Sequence, residues 1–265
     1  MSGFPLSVFF ILFGFALLGA AAILPYSFAL NRDKLSQAKM PKPILALISF
    51  LQTAVLMALA VGVGLLAAQS IGLGAPYIRA ALAGEPVAHP FMSLLPLAIG
   101  LGVLSFATMA LFERYVFGPH VPEALRTSDV KAKAWTRFLA SFYGGMNEEM
   151  LFRLFMVSGL AWIFGRFWQN ASGLPADGAY WTAIILSALI FGLGHLPTTR
   201  VLTPLTPMLV IRAVVLNGIV GIACGWLYWK YGLEAAMVAH FSADILLHLV
   251  GPLFASHVYK NVQNT

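Results

Sequence analysis

Glu148, Glu149 and Arg153 stand together in an otherwise apolar stretch, and their spacing divides the work among them. On a helix, Glu149 and Arg153 are four residues apart and share a face, with the acid on the N-terminal side, the better order for an ion pair. Glu148 lies about 100° round the helix from Glu149 and is not equally well placed for that arginine. One carboxylate is thus neutralised within the helix while the other stays available for chemistry. Two more polar groups follow in apolar surroundings. Phe191 and His195 share a face at four-residue spacing, and His240, Asp244 and His248 form a stripe at the same spacing. A carboxylate, two imidazoles and a second carboxylate are the parts needed to activate water. Glutamate takes a proton from water, one histidine holds that water, and a second histidine with its neighbour stabilises an oxyanion. The same set could instead ligate a divalent metal such as zinc, through His195, His240 and Glu148.

Other readings of these residues stay open. A buried ion pair that fixes helix packing accounts for Glu149 and Arg153 but leaves Glu148 unexplained. His248 is either a third member of the stripe or a residue near the cytoplasmic surface. Asn147, Arg212 and Asn217 are also polar and intramembrane. They are read as a cavity hydrogen-bonder, a snorkelling cation and interhelical glue. The single cysteine, Cys224, excludes an intramolecular disulfide and a Cys-rich metal site, and is read as a packing residue. There is no His-Glu-x-x-His, no Gly-x-Ser-x-Gly and no Gly-x-Gly-Asp, so the usual zinc, serine and aspartyl protease signatures are absent.

The elements that must position these groups are membrane spans. Of the 265 residues, 60% are hydrophobic and only 10% charged, against about 25% charged in a soluble domain. Long apolar runs point to lipid-facing helices, and the alternating pattern of a barrel is missing. The expected fold is all-α, a polytopic bundle of about seven spans near 5–30, 44–68, 91–115, 135–166, 179–199, 205–230 and 233–255. The fourth is over-long and must tilt or begin as an interfacial helix near Trp135. Residues 69–90 read as a Gly/Pro-containing loop. Gly192 and Gly194 let another helix approach closely. The net charge of +6 reflects cytoplasmic Lys and Arg, with no aromatic-basic interleaving for nucleic acid. Eleven of the sixteen basic residues fall on the side of the first, third and fifth loops and the C-terminal tail, while Arg79, Arg166 and Lys230 fall on the other. That bias sets the N-terminus outside and the C-terminus in the cytoplasm. The Ala/Gly/Leu-rich composition and short loops fit a bacterial inner membrane. The chain divides into a three-span region (1–133), a site-bearing helix bundle (134–256) and a cytoplasmic tail (257–265).

Glu148-Glu149-x-x-x-Arg153, Phe191-x-x-x-His195 and His240-x-x-x-Asp244, in that order on separate spans, resemble the three motifs of the CPBP family. That family groups type II CAAX prenyl proteases with bacteriocin-processing and abortive-infection membrane proteins. The resemblance covers roughly 135–250. It implies an intramembrane endopeptidase acting on a peptide or protein substrate in or at the bilayer. Glu148 with His195 would activate water, His240 and Asp244 would form the oxyanion hole, and Glu149, Arg153 and Phe191 would support the site. Aspartate at 244 departs from the asparagine of many members, and an ionised Asp cannot donate to an oxyanion. The competing readings are an inactive immunity or scaffold protein of the same family, or a proton-coupled transporter. The transporter lacks a polar counterpart in the first three spans. Straight spans would leave His195 and His240 offset by on the order of 13 Å, so a single site requires that gap to close.

Overall fold

The computed structural model describes residues 3–126 and 132–251. The expected tail at 257–265, the end of the seventh predicted span and Lys131 lie outside the described residues.

An apolar run in lipid has no water to satisfy its peptide groups, so each must hydrogen-bond within its own segment, which selects helix. The long elements are α1 (Leu6–Leu30) and α2 (Lys42–Ser70). A short α3 (Pro76–Leu82) precedes α4 (Ala88–His120). A continuous helical segment α5 spans 134–164. It is followed by α6 (Asp177–Gly194), a short α7 (Leu196–Leu202), α8 (Pro207–Tyr231) and α9 (Leu233–Val250). Among the described residues there is no strand, only an isolated bridge between Gln169 and Pro175.

Among the described residues, six helices are long and apolar enough to cross a membrane: α1, α2, α4, α6 extended through α7, α8 and α9. The remaining long segment, α5, carries the Glu148, Glu149 and Arg153 cluster, and about seven spans is the architecture. Predicted and observed boundaries agree to within a few residues, except at the C-terminal end of α4. Local signals explain several ends. Proline occupies the first turn of α2, α3, α7 and α8, where its missing N–H costs nothing. Thr206 caps α8 by accepting from the Leu209 N–H at 3.3 Å. Gly232, at φ +98°, ends α8 and turns the chain into α9. Large side chains such as Leu18 and Leu59 are each 63% exposed, the expected surface for lipid.

The residues 69–90 are more than a loop. Ile71, Leu73 and Ala75 are buried. The Leu233 N–H donates to the Gly74 carbonyl at 2.9 Å, and the Ile78 N–H donates to Glu234 Oε1 at 2.8 Å. This segment therefore fixes where α9 begins. Within the bundle, α6 packs on α8, and α9 packs on α4, α5 and α8. Gly192 permits the first of these contacts, because a Cβ there would come within 2.6 Å of the Val214 Cα. Gly194 meets only the tip of Phe152, so it does not share the close-approach role expected of it.

Candidate active site

Two π-helical stretches, Tyr143–Glu148 and Met150–Val157, meet at the glutamate pair in the middle of α5. Hydrogen bonding from i to i+5 puts more residues in each turn and narrows the angle between neighbours. Glu148 and Glu149 both lie close to the same partner. That partner is His240 of α9, whose side chain is almost wholly buried. Glu149 Oε1 lies 2.6 Å from His240 Nδ1. On the other side of the imidazole, Glu148 Oε2 and Asp244 Oδ1 each lie 3.7 Å from Nε2.

The carboxylates divide as their spacing suggested. Glu149 is fully buried and pairs with Arg153 Nη1 at 3.0 Å, while the Glu148 side chain keeps 22% exposure. Arg153 Nη2 donates to the carbonyls of Val220 and Gly221 on α8, at 3.4 and 3.3 Å. Glu149 therefore joins three helices: its own, α8 through Arg153, and α9 through His240.

Phe191 contacts both histidines. Its ring centroid is 4.8 Å from His195, 5.8 Å from His240 and 5.2 Å from the Arg153 guanidinium carbon. Helical side chains lean towards the N-terminus of their helix, so the His195 ring folds back over the preceding turn of α6. There its Nδ1 lies 2.9 Å from the Phe191 carbonyl oxygen. An oxygen of this kind only accepts, so Nδ1 is the donor in this contact, and in the neutral ring Nε2 is then the acceptor. Among the described residues no hydrogen bond or ion pair joins His195 to Glu148 directly.

Gly144 and Gly145 make the site possible and were not singled out from the sequence. A Cβ on Gly144 would overlap Asp244 Oδ2 and come within 3.3 Å of His240 Nε2; one on Gly145 would press on Phe241 at 2.9 Å. The signal was present, as two glycines one turn before an acidic pair mark a surface on which another helix can lie flat. The other polar residues take different roles from those expected. Asn147 turns away from the site, donating to the Ala16 carbonyl on α1 at 2.9 Å. Arg212 pairs with Glu113 Oε2 of α4 at 2.8 Å. Asn217 donates to Ala213 of its own helix at 2.8 Å and ties no second helix. His248, in the last π turn of α9, makes an edge contact with Tyr26 of α1 at 5.7 Å.

One group of candidate metal ligands occurs among the described residues: Glu149, Cys224 and His240, with ligating atoms within 4.8 Å of one another. His195 and Glu148 are not part of it. In its favour, Glu149 Oε2 is buried without a hydrogen-bond partner. Against it, the Arg153 cation already sits on Glu149 Oε1, His240 Nδ1 holds the same oxygen, and Cys224 Sγ points to the Ala236 carbonyl at 3.7 Å. All three residues are buried, whereas a hydrolytic zinc needs an open position for water. The group does not fit a catalytic metal.

Residues 130–246 match the family model for type II CAAX prenyl endopeptidase Rce1-like proteins. No curated protein and no solved structure gives a significant match. The matched segment holds every residue of the constellation, from Gly144 to Asp244, on a CAAX protease-like intramembrane fold. Over that segment, less than half of the chain, the protein is similar to the Rce1-like type II CAAX prenyl endopeptidases.

Proposed function

We propose that the protein is an intramembrane endopeptidase in which Glu148 activates water against a peptide bond of a membrane or membrane-associated substrate. The observation that carries this reading is the unequal treatment of two adjacent carboxylates. Glu149 is sealed against Arg153 and His240, while Glu148 retains solvent access beside the same imidazole.

In this mechanism Glu148 takes a proton from a water molecule as its oxygen attacks the scissile carbonyl carbon. His195, with Nε2 free to accept, holds the second hydrogen of that water. The carbonyl oxygen becomes negative and is met by His240 Nε2–H. Carboxylate oxygens face both nitrogens of His240, so N–H donors on both are the matched arrangement. Glu149 holds Nδ1 and so aims Nε2 into the site. Asp244, as an acid beside that nitrogen, orients His240 and does not itself donate to the oxyanion. The tetrahedral intermediate then collapses, the C–N bond breaks, and the proton held by Glu148 passes to the leaving amine. Burial strengthens each of these interactions, because little water competes.

The basic residues on the loops give the orientation proposed with this function: N-terminus outside and C-terminus in the cytoplasm. The test is cleavage of transmembrane and juxtamembrane peptides by the full chain in proteoliposomes, read by mass spectrometry. Wild-type protein should release defined fragments and Glu148→Gln should release none. Equal cleavage by both would assign the activity elsewhere, and an immunity or scaffold role would follow if neither cleaves any peptide of a broad panel.

A further inference from the structure

Arg79, Arg166 and Lys230 are the basic residues on the face opposite the basic loops. Two of the three, Arg79 and Lys230, line a single cavity of about 370 Å³ between α3 and the end of α8. Cations are disfavoured on the translocated side of a membrane protein, so two of them in one cavity call for an anionic occupant. We propose that this cavity binds the phosphate of a phospholipid headgroup.

The cavity is shaped for that purpose. Gly74, at φ +135°, lets the chain turn beneath Arg79, and a Cβ on it would come within 2.8 Å of Arg79 Nη2. The guanidinium thus lies over a turn that only glycine accommodates without strain. Lys230 Nζ stands 3.4 Å from the centroid of the Trp229 ring. Trp229 in turn stacks on Tyr180 at 5.0 Å. Tyr77, Trp229 and Tyr231 line the cavity at the ends of the spans, the level of aromatic belts and of lipid headgroups. Guanidinium and ammonium together suit a phosphodiester, the first through paired N–H donors and the second as a point charge. Below the floor, Glu234 gives Oε1 to the Ile78 amide, while Oε2, buried and without a hydrogen-bond partner, lies against Gly232. Desolvation raises the pKa of the Tyr77 phenol, with a smaller contribution from the Glu234 carboxylate.

The test is binding to the purified full chain in detergent, read as a rise in Tm. The ligands are short-chain phosphatidylglycerol, a diacylglycerol of the same chains, and inorganic phosphate. Phosphatidylglycerol should stabilise and diacylglycerol should not. Stabilisation by inorganic phosphate at similar concentration would keep the site but make free phosphate its ligand. Arg79→Gln and Lys230→Gln should each weaken lipid binding by about tenfold, Lys230→Arg should restore it, and Arg166→Gln should leave it unchanged. Equal stabilisation by diacylglycerol, no response to any phosphate, or full binding by the Arg79 and Lys230 variants would overturn the proposal.

Discussion

Replacing Glu149 by glutamine removes one negative charge and almost no volume, so its effect isolates the charge. Glu149 is fully buried and its Oε1 serves both Arg153 Nη1 at 3.0 Å and His240 Nδ1 at 2.6 Å. The amide can still accept one hydrogen bond. It leaves the Arg153 cation buried with only the Val220 and Gly221 carbonyls, at 3.4 and 3.3 Å, as compensation. Removing one member of a buried pair costs about 3–5 kcal/mol, and the two carbonyls place the expected loss near the lower end, about 3 kcal/mol. The same substitution at Glu148 has a different ledger. That side chain is 22% exposed and its contact with His240 is 3.7 Å, too long for a hydrogen bond. Glu148→Gln should therefore change stability by less than about 1 kcal/mol. Unfolding of the purified protein in mixed micelles, followed by tryptophan fluorescence, measures both. Loss of cleavage is expected in each variant, but loss of stability only in Glu149→Gln. If the two variants unfold alike, the division into a structural and a chemical carboxylate is wrong.

Gly144→Ala puts a methyl group where Asp244 Oδ2 and His240 Nε2 now approach. The end of the Asp244 side chain can yield, so the fold should survive while cleavage falls by about 100-fold, the usual cost of a displacement near 1 Å at a reacting centre. Asp244→Asn keeps the shape and adds an N–H₂ donor beside His240; cleavage should remain at or above the wild-type rate, and Asp244→Leu should abolish it. Because Glu149, Cys224 and His240 form a closed group with Arg153 already on the carboxylate, dialysis against a strong chelator should leave cleavage unchanged. A loss restored by zinc would show that the site opens to a metal.

Much of the architecture was legible because lipid makes a simple demand. Long apolar runs become helices, and the span limits follow from proline, glycine and charge. The Glu149–Arg153 pair was legible for the same reason, since it depends only on spacing within one helix. What the sequence left unread depends on relations between helices. The π turns around Glu148 and Glu149 pack against α1, α2 and α9, and no residue pattern announces them. The contact of Glu149 with His240 joins two helices, and spacing within one helix does not suggest it. His195 and His240 are linked through Phe191, whose ring contacts both, a relation between helices that spacing along the chain does not reveal. Residues 69–90 looked featureless because their role is to seat the first turn of α9 through Gly74 and Ile78. That role is carried by backbone atoms. Arg212 looked like a lone snorkelling cation because its partner, Glu113, lies 99 residues away.

The central claim is that Glu148 on α5 and His240 on α9 act as one catalytic unit, and a double-mutant cycle on cleavage rate tests it most directly. Single-turnover rates would be measured for wild type, Glu148→Gln, His240→Gln and the double variant on one membrane peptide in proteoliposomes. Groups that act together lose their effect together. The double variant should therefore be no slower than the slower single variant, to within about threefold. A double variant slowed by the product of the two single effects would mean that the two residues act independently, and would contradict a single shared site.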